Sequence, residues 1–265
     1  MISDMNIDHG KGFDWGKASK DYAKYRDIYP EEFYEKIVRC GICTKGQNVL
    51  DLGTGTGVLP RNLHRWGANF IGTDISENQI EEARRLAREA NMDIDFIVSS
   101  AEEIDFPDES FDVVTACQCY MYFNMDILLP KLYKLLKKNG HFCIIYMGWL
   151  PDESDIARKS ESLVLQYNPY WTGGNLKRSP IEIPELAKEF FTVENEILYD
   201  IDIPFTRESW RGRIRACRGI GASSLSEAEL FRFEKEHMKY LESVDESFTI
   251  PHYVAMLNLR KKDDE

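Results

Sequence analysis

The segment Asp51-Leu52-Gly53-Thr54-Gly55-Thr56-Gly57 constrains the fold of this chain more than any other. The apolar run before it, Asn48–Leu52, predicts a short buried strand, and Val58–Trp66 after it predicts a helix that Gly67 closes. Glycines at alternate positions between strand and helix let the chain turn sharply and let a ligand approach the backbone. A dinucleotide loop would read G-x-G-x-x-G, but its last position here is Val58, which argues against a pyrophosphate.

The same alternation runs on from this loop. Strands are expected at Asn69–Thr73, Ile94–Val98, Phe111–Ala116 and His141–Met147. Helices are expected at Glu77–Ala90, opened by a Ser76/Gln79 capping box, and at Asp126–Lys138, stopped by Asn139–Gly140. Such a chain makes an α/β fold, a mostly parallel sheet with helices on both faces. Upstream, residues 1–12 read as loose, and Ala18–Cys40 as helices interrupted at Tyr29–Pro30. Beyond Trp149, prolines and glycines mark residues 149–190 as an irregular cap with one helix, about Asp155–Gln166; Asn168-Pro169-Tyr170-Trp171 reads as a turn within it. Phe191–Tyr199 and Thr249–Arg260 predict two more strands, and Thr206–Arg218 and Glu227–Leu241 two helices, the second with a Ser226/Glu229 capping box.

Charge and cysteines narrow the function. With 33 Lys and Arg against 45 Asp and Glu, the net charge of −12 would repel a phosphate backbone, so no nucleic-acid partner is expected. The longest nearly apolar run, Phe142–Leu150, is far short of the roughly 20 residues of a membrane span, and the first residues have no secretory apolar stretch. Cys40 and Cys43 form a C-x-x-C without a second pair at zinc spacing. The six cysteines are therefore expected to be reduced and free of metal, as in a cytoplasmic protein, with redox or metalloid chemistry at Cys40–Cys43 as the alternative.

Asp74 ends the second strand about twenty residues after the glycine loop, where a carboxylate can accept from both hydroxyls of a ribose. Ser99-Ser100-Ala101-Glu102 follows the third strand at the same carboxyl edge. Three loops converging on one crevice predict a nucleoside site.

Val49–Gly57, Gly72-Thr73-Asp74-Ile75-Ser76, Ala101-Glu102-Glu103 and Phe106–Asp112 together resemble the class I S-adenosylmethionine-dependent methyltransferases, in the branch of ubiquinone/menaquinone-type and trans-aconitate-type small-molecule enzymes. The resemblance is strong over about Tyr22–Tyr146. It implies a Rossmann-like, seven-stranded sheet with a helical cap. It also implies a division into an N-terminal helical segment over the cofactor (1–40), a cofactor-binding core (41–148), a cap insertion (149–190) and the last strands with a helical cap segment at about 206–247 (191–265). The implied cofactor is S-adenosyl-L-methionine. Gly53, Thr54 and Gly55 would lie against its methionine part with Asp51 near the amino group, Asp74 on the ribose and Ile75 on the adenine. The Ala101 amide would meet the adenine ring, with Ser100 or Glu102 at its amino group, Cys117 and Gln118 beside the cofactor, and Tyr22 and Arg26 closing over it.

In such enzymes the loop after the fourth strand faces the acceptor, and relatives often carry His near the position of Met121. Its absence leaves Tyr120, Tyr122 or a base from the cap, the two tyrosines either positioning an acceptor or packing the crevice. Arg207, Arg211, Arg215 and Arg218 share one side of a short helix and Trp210, Ile214 and Cys217 another. That side is either a solvated basic face or an anion clamp, for which Arg211, Arg215 and the cap residue Trp171 are the candidates. The expected reaction is methyl transfer to a small organic acceptor with no catalytic metal. A cofactor-binding regulator without chemistry, or an NAD-dependent oxidoreductase, is the alternative.

Overall fold

The computed structural model describes residues 4–263. Its strands are β1 (Asn48–Leu52), β2 (Asn69–Asp74), β3 (Asp95–Val98), β4 (Phe111–Cys117), β5 (Leu136–Trp149), β6 (Phe191–Thr206) and β7 (Ser247–Lys261). The helices are α1 (Ser19–Tyr25), α2 (Glu31–Arg39), α3 (Val58–Leu63), α4 (Glu77–Glu89), α5 (Met125–Leu135), α6 (Asp155–Tyr167), α7 (Ala187–Phe190), α8 (Arg207–Arg215) and α9 (Glu227–Leu241). All seven strands belong to one sheet of order β3-β2-β1-β4-β5-β7-β6. The four pairs from β3 to β5 are parallel, and the order turns back between β1 and β4.

Tyr29–Met147, Ser179–Tyr199 and the chain from Val254 onward form one compact unit, the sheet unit. Helices cover its strands on both faces, so both faces of the central strands must be apolar. Val49, Leu50, Leu52, Val113, Val114, Ala116 and Phe142–Ile145 are all fully buried. Here the fifth strand starts five residues earlier than expected, and α5 stops at Leu135 rather than near Lys138. Buried Leu136 pairs with Phe111, and the register then shifts before Val113 pairs with His141. Strand pairing thus overrides the helix-like pattern of Lys137–Gly140. The Ser76/Gln79 capping box does not form either: the Ser76 side chain caps nothing, and its N–H donates instead to Asp74 Oδ1 (2.8 Å).

Residues up to Ile28, with Gly148–Arg178 and Asp200–Tyr253, form the second unit, the cap unit. Trp210 anchors it: fully buried, it donates Nε1–H to Ser160 Oγ (2.9 Å), which lies 3.0 Å from His237 Nε2. Gly212 lets α8 approach α1, since a Cβ there would lie 2.3 Å from the Tyr25 ring. The Ser226/Glu229 capping box opens α9 as expected. Residues 4–12 are not loose: Ile7 and Asp8 are buried, and a short 3-10 turn spans Asp8–Gly10.

Two histidines of the cap unit, His237 and His252, are almost wholly buried, and burial lowers their pKa values to about 4 and about 3. The unfolded chain therefore binds protons more readily than the native one below the ordinary histidine pKa. The stabilisation is complete above about pH 6.5 and is lost as the pH falls toward 4, at about 1.4 kcal/mol per pH unit for each histidine. Four of the five tryptophans (Trp15, Trp149, Trp171, Trp210) lie in this unit. Thermal melts followed by tryptophan fluorescence should thus shift to lower temperature between pH 7 and pH 4.5, and His252→Phe should flatten the shift.

Candidate functional site

The carboxyl edge of β1, β2 and β4 in the sheet unit is built around the glycine loop. Gly53, Gly55 and Gly57 have φ of 58°, 57° and 73°, left-handed values that other residues adopt only under strain. At Gly53 a Cβ would also lie 2.8 Å from Cys119 Cβ and Sγ. Burial holds the Cys119 thiol protonated by pushing its pKa well up, and it donates to Leu52 O (3.1 Å), tying the loop after β4 to the end of β1.

Asp51, 1% exposed, accepts from Thr115 Oγ1 at 2.6 Å, and the β1–β4 register sets these two residues side by side. Burial raises its pKa to about 6, against the opposing Thr115 hydrogen bond. Asp74 is the centre of the arrangement. Its Oδ2 accepts from Gly55 N (2.9 Å) and its Oδ1 from Ser76 N (2.8 Å), while Thr54 N donates to Thr73 O and Ser99 N to Asp74 O. One carboxylate thereby fastens the glycine loop to the end of β2. Burial raises its pKa while these two backbone donors oppose the rise. Each oxygen keeps a further lone pair for an outside donor. Beside it Ile75 is 60% exposed, an apolar side chain at a polar edge.

The loop after β3 joins the same edge. Ala101 is buried, Ser100 Oγ donates to Glu103 Oε2 (3.1 Å), and Glu102 Oε1 accepts from Asn124 N (2.7 Å). Lys131 Nζ reaches the carbonyls of Glu102 (2.6 Å) and Ile104 (3.0 Å), which fixes this loop against α5. After Cys117, Gln118 takes a left-handed φ of 69°, held by N–H to Ile145 O (2.9 Å) and Nε2 to Met147 O (2.7 Å). Tyr120 and Tyr122 follow on a half-buried 3-10 turn.

Asp51, the glycines, Asp74, Ile75, Ser100–Glu102, Cys117, Gln118 and both tyrosines thus all belong to the sheet unit, linked by these hydrogen bonds and by adjacent loops. A nucleoside fits: a carboxylate with spare acceptor capacity, an exposed apolar side chain and a left-handed turn lie on consecutive strand ends. Tyr22, Arg26, Trp171, Arg211 and Arg215 belong to the cap unit. There the Arg26 guanidinium lies 4.6 Å from the Tyr22 ring centre. Trp171 is 5% exposed, in a turn that donates its N–H to Asn168 O.

The arginine side of α8 departs from the expectation of a solvated face or a free clamp. Arg215 grips Asp21 through Nε (2.6 Å) and Nη2, and also lies 3.7 Å from Glu234; Arg211 lies 3.4 Å from the same Glu234. Two arginines and two carboxylates leave no net charge for an acceptor, so α8 is pinned to α1 and α9 instead.

Thr115, Cys119 and Lys131 escaped the sequence reading, yet they fix Asp51, Gly53 and Glu102. Thr115 left a signal, a hydroxyl amid the apolar Val113-Val114-Ala116, whereas the other two left none. Among the described residues no group of three or more His, Cys, Asp or Glu side chains could hold a metal ion.

Residues 50–144 match a family model described as a methyltransferase domain. A ubiquinone biosynthesis O-methyltransferase of Bradyrhizobium diazoefficiens is 37% identical over 108 residues, 40% of this chain and 42% of that enzyme. One from Bartonella bacilliformis is 26% identical over 168 residues, 62% of this chain and 67% of that enzyme. The chain spans about half the length of the first relatives it matches, 56% and 42%. Among solved structures, a Haemonchus contortus phosphoethanolamine N-methyltransferase holding S-adenosylhomocysteine superposes with a TM-score of 0.54 at 20% identity, covering 93% of this chain and 58% of that one. The YcgJ protein of Bacillus subtilis does so with 0.54 at 16%, covering 89% and 100%. At these identities the structures show the shared fold alone.

Proposed function

We propose that this chain, whose residues 50–144 match a methyltransferase-domain model, is a class I enzyme that transfers the methyl group of S-adenosyl-L-methionine to a small organic acceptor. The observation that carries this reading is the Asp74 carboxylate, which fastens the glycine loop through Gly55 and keeps lone pairs for ribose hydroxyls. Gly53, Thr54 and Gly55 would hold the methionine part, Ile75 the adenine face, and Ser100, Ala101 and Glu102 the adenine edge. The buried Asp51 carboxylate, still ionised at neutral pH with a pKa of about 6, would offer the counter-charge to the amino group.

When bound, the cofactor supplies a methyl group already activated on a sulfonium. The residues of this chain have then to align the acceptor and exclude water. Gln118, locked by its two carbonyl contacts, sets the path of the following turn and so the direction in which Tyr120 and Tyr122 point. The two tyrosines would position the acceptor. Tyr120→Phe and Tyr122→Phe should lower turnover about tenfold or more while leaving cofactor affinity unchanged within about twofold. If kinetics show no change in turnover for both variants, the acceptor is held elsewhere.

Mass spectrometry of reactions with a panel of phenols, amines and carboxylic acids tests the reading. One acceptor should gain a methyl group in step with S-adenosylhomocysteine formation. Tight cofactor binding with no product from any acceptor would favour a regulator that binds without chemistry.

A further inference from the structure

We infer, resting on the methyl-transfer reading, that Glu102 is a positioning residue for the acceptor. Its carboxylate ties the turn that carries Tyr120 and Tyr122 to the loop after β3, so that a bound cofactor stiffens this turn through Glu102. The turn is a single 3-10 repeat over Tyr120–Tyr122, closed by Tyr122 N–H to Cys119 O (2.9 Å) and Phe123 N–H to Tyr120 O (3.2 Å). Hydrogen bonds of this kind have poorer geometry than those of an α-helix, so the aim of so short a turn depends on what holds it from outside. At its entry the Cys119 thiol donates to Leu52 O (3.1 Å). The Phe123 ring lies against the glycine loop, since a Cβ at Gly53 would come within 3.4 Å of its Cζ. At the exit Asn124 N–H donates to Glu102 Oε1 (2.7 Å). All three ties end at the carboxyl edge that would receive the cofactor, and the last one ends on its adenine side.

Glu102 differs from its neighbour Glu103 in what it reaches. Glu103 Oε2 accepts from Ser100 Oγ (3.1 Å) and so stays within its own loop. Glu102 crosses to Asn124, and it does so from a fixed point, because Lys131 Nζ donates to Glu102 O (2.6 Å) and to Ile104 O (3.0 Å). On the far side, Asn124 spends its side chain on α5, accepting from Asp126 N (3.2 Å), which leaves its N–H to fix the exit of the turn. On the cofactor side, Ser99 N–H donates to Asp74 O (3.0 Å) and Glu103 N–H to Ser100 O (3.2 Å), so the loop is fastened to the end of β2 and closed on itself. A hydrogen-bonded path therefore runs from Asp74 through Ser99–Glu102 to Asn124 and the two tyrosines. A cofactor that engages Asp74 and the loop after β3 restrains the Glu102 carboxylate, and the turn loses motion with it.

The test is hydrogen exchange of the full chain with and without saturating S-adenosylhomocysteine. In wild type the ligand should slow exchange about tenfold at the Tyr122 and Phe123 amides and at Ser99. In Glu102→Ala the slowing at Tyr122 and Phe123 should fall to about twofold or less while Ser99 keeps its own. Glu102→Gln, which retains an oxygen for Asn124 N–H, should restore it. Neither amide is bonded to Glu102, so the loss of one local hydrogen bond would not by itself remove a ligand-dependent change at both. Asn124→Pro deletes the same bond from the other side, at a residue whose φ of −79° suits proline, and should reproduce the loss. Equal slowing in wild type and Glu102→Ala overturns the inference and leaves the methyl-transfer reading standing. So does a wild type in which Ser99 responds and the two turn amides do not. A wild type that does not bind S-adenosylhomocysteine overturns both. If Glu102→Ala does not fold, Asn124→Pro decides in its place.

Discussion

Asp74→Ala should weaken S-adenosylmethionine binding at least about a hundredfold, the largest loss expected of any single side chain at the site. Two ribose hydroxyls would each lose a charge-assisted acceptor worth about 1.5–3 kcal/mol, and about 3 kcal/mol in total is already two orders of magnitude. The substitution also strips the Gly55 and Ser76 amides of their partner, so the glycine loop loses its tie to β2. Asp74→Asn should rescue only part of this, because an amide can accept through one oxygen and must turn a donor toward one of the two N–H groups. Calorimetric affinities of the three proteins check the order; a loss below about fivefold in Asp74→Ala would show that the carboxylate does not meet the cofactor.

Asp51→Asn should do the opposite to stability while still harming binding. Burial raises the Asp51 pKa from 3.8 to about 6, so the native state holds this proton more tightly than the unfolded chain does. The ionised carboxylate therefore costs stability, and the cost grows as the pH rises from about 4 through about 6, reaching about 3 kcal/mol at neutral pH. Asparagine removes the charge and keeps an oxygen for Thr115 Oγ1, which donates to Asp51 Oδ1 at 2.6 Å. The variant should melt several degrees higher than wild type at pH 7.5, with the gap closing toward pH 4. Its cofactor affinity should fall, because the counter-charge for the amino group is gone. A variant that is no more stable at pH 7.5 would mean that the buried carboxylate is compensated in the native protein. Function is a reason to keep an ionised group at so unfavourable a position.

The sheet was legible where hydrophobic period and turn chemistry agree. β1 and α9 have the expected bounds, because an apolar run ending in Asp51-x-Gly53 and a Ser226/Glu229 box each admit one local structure. Legibility failed where a distant partner decides. Nothing local to Leu136–Gly140 announces that Phe111 pairs there, and nothing in Ser76-x-x-Gln79 reveals that Asp74 claims the Ser76 amide first. The arginine side of α8 looked like a free cationic face because its carboxylates, Asp21 and Glu234, lie 194 and 19 residues away from Arg215. The polar start of the chain looked loose for the same reason, since Asp8 finds its partners at Thr172 and Arg218. Of the candidate site, the glycine loop and Asp74 were plain from spacing. The supports that aim them, Thr115 and Cys119, depend on strand register and could not be read from spacing.

Calorimetric titration of the wild-type protein with S-adenosylmethionine and, separately, with NAD tests the central claim most directly. S-adenosylmethionine should bind at a single site, and NAD should give no binding heat. Binding of NAD with none of S-adenosylmethionine would contradict the methyltransferase account.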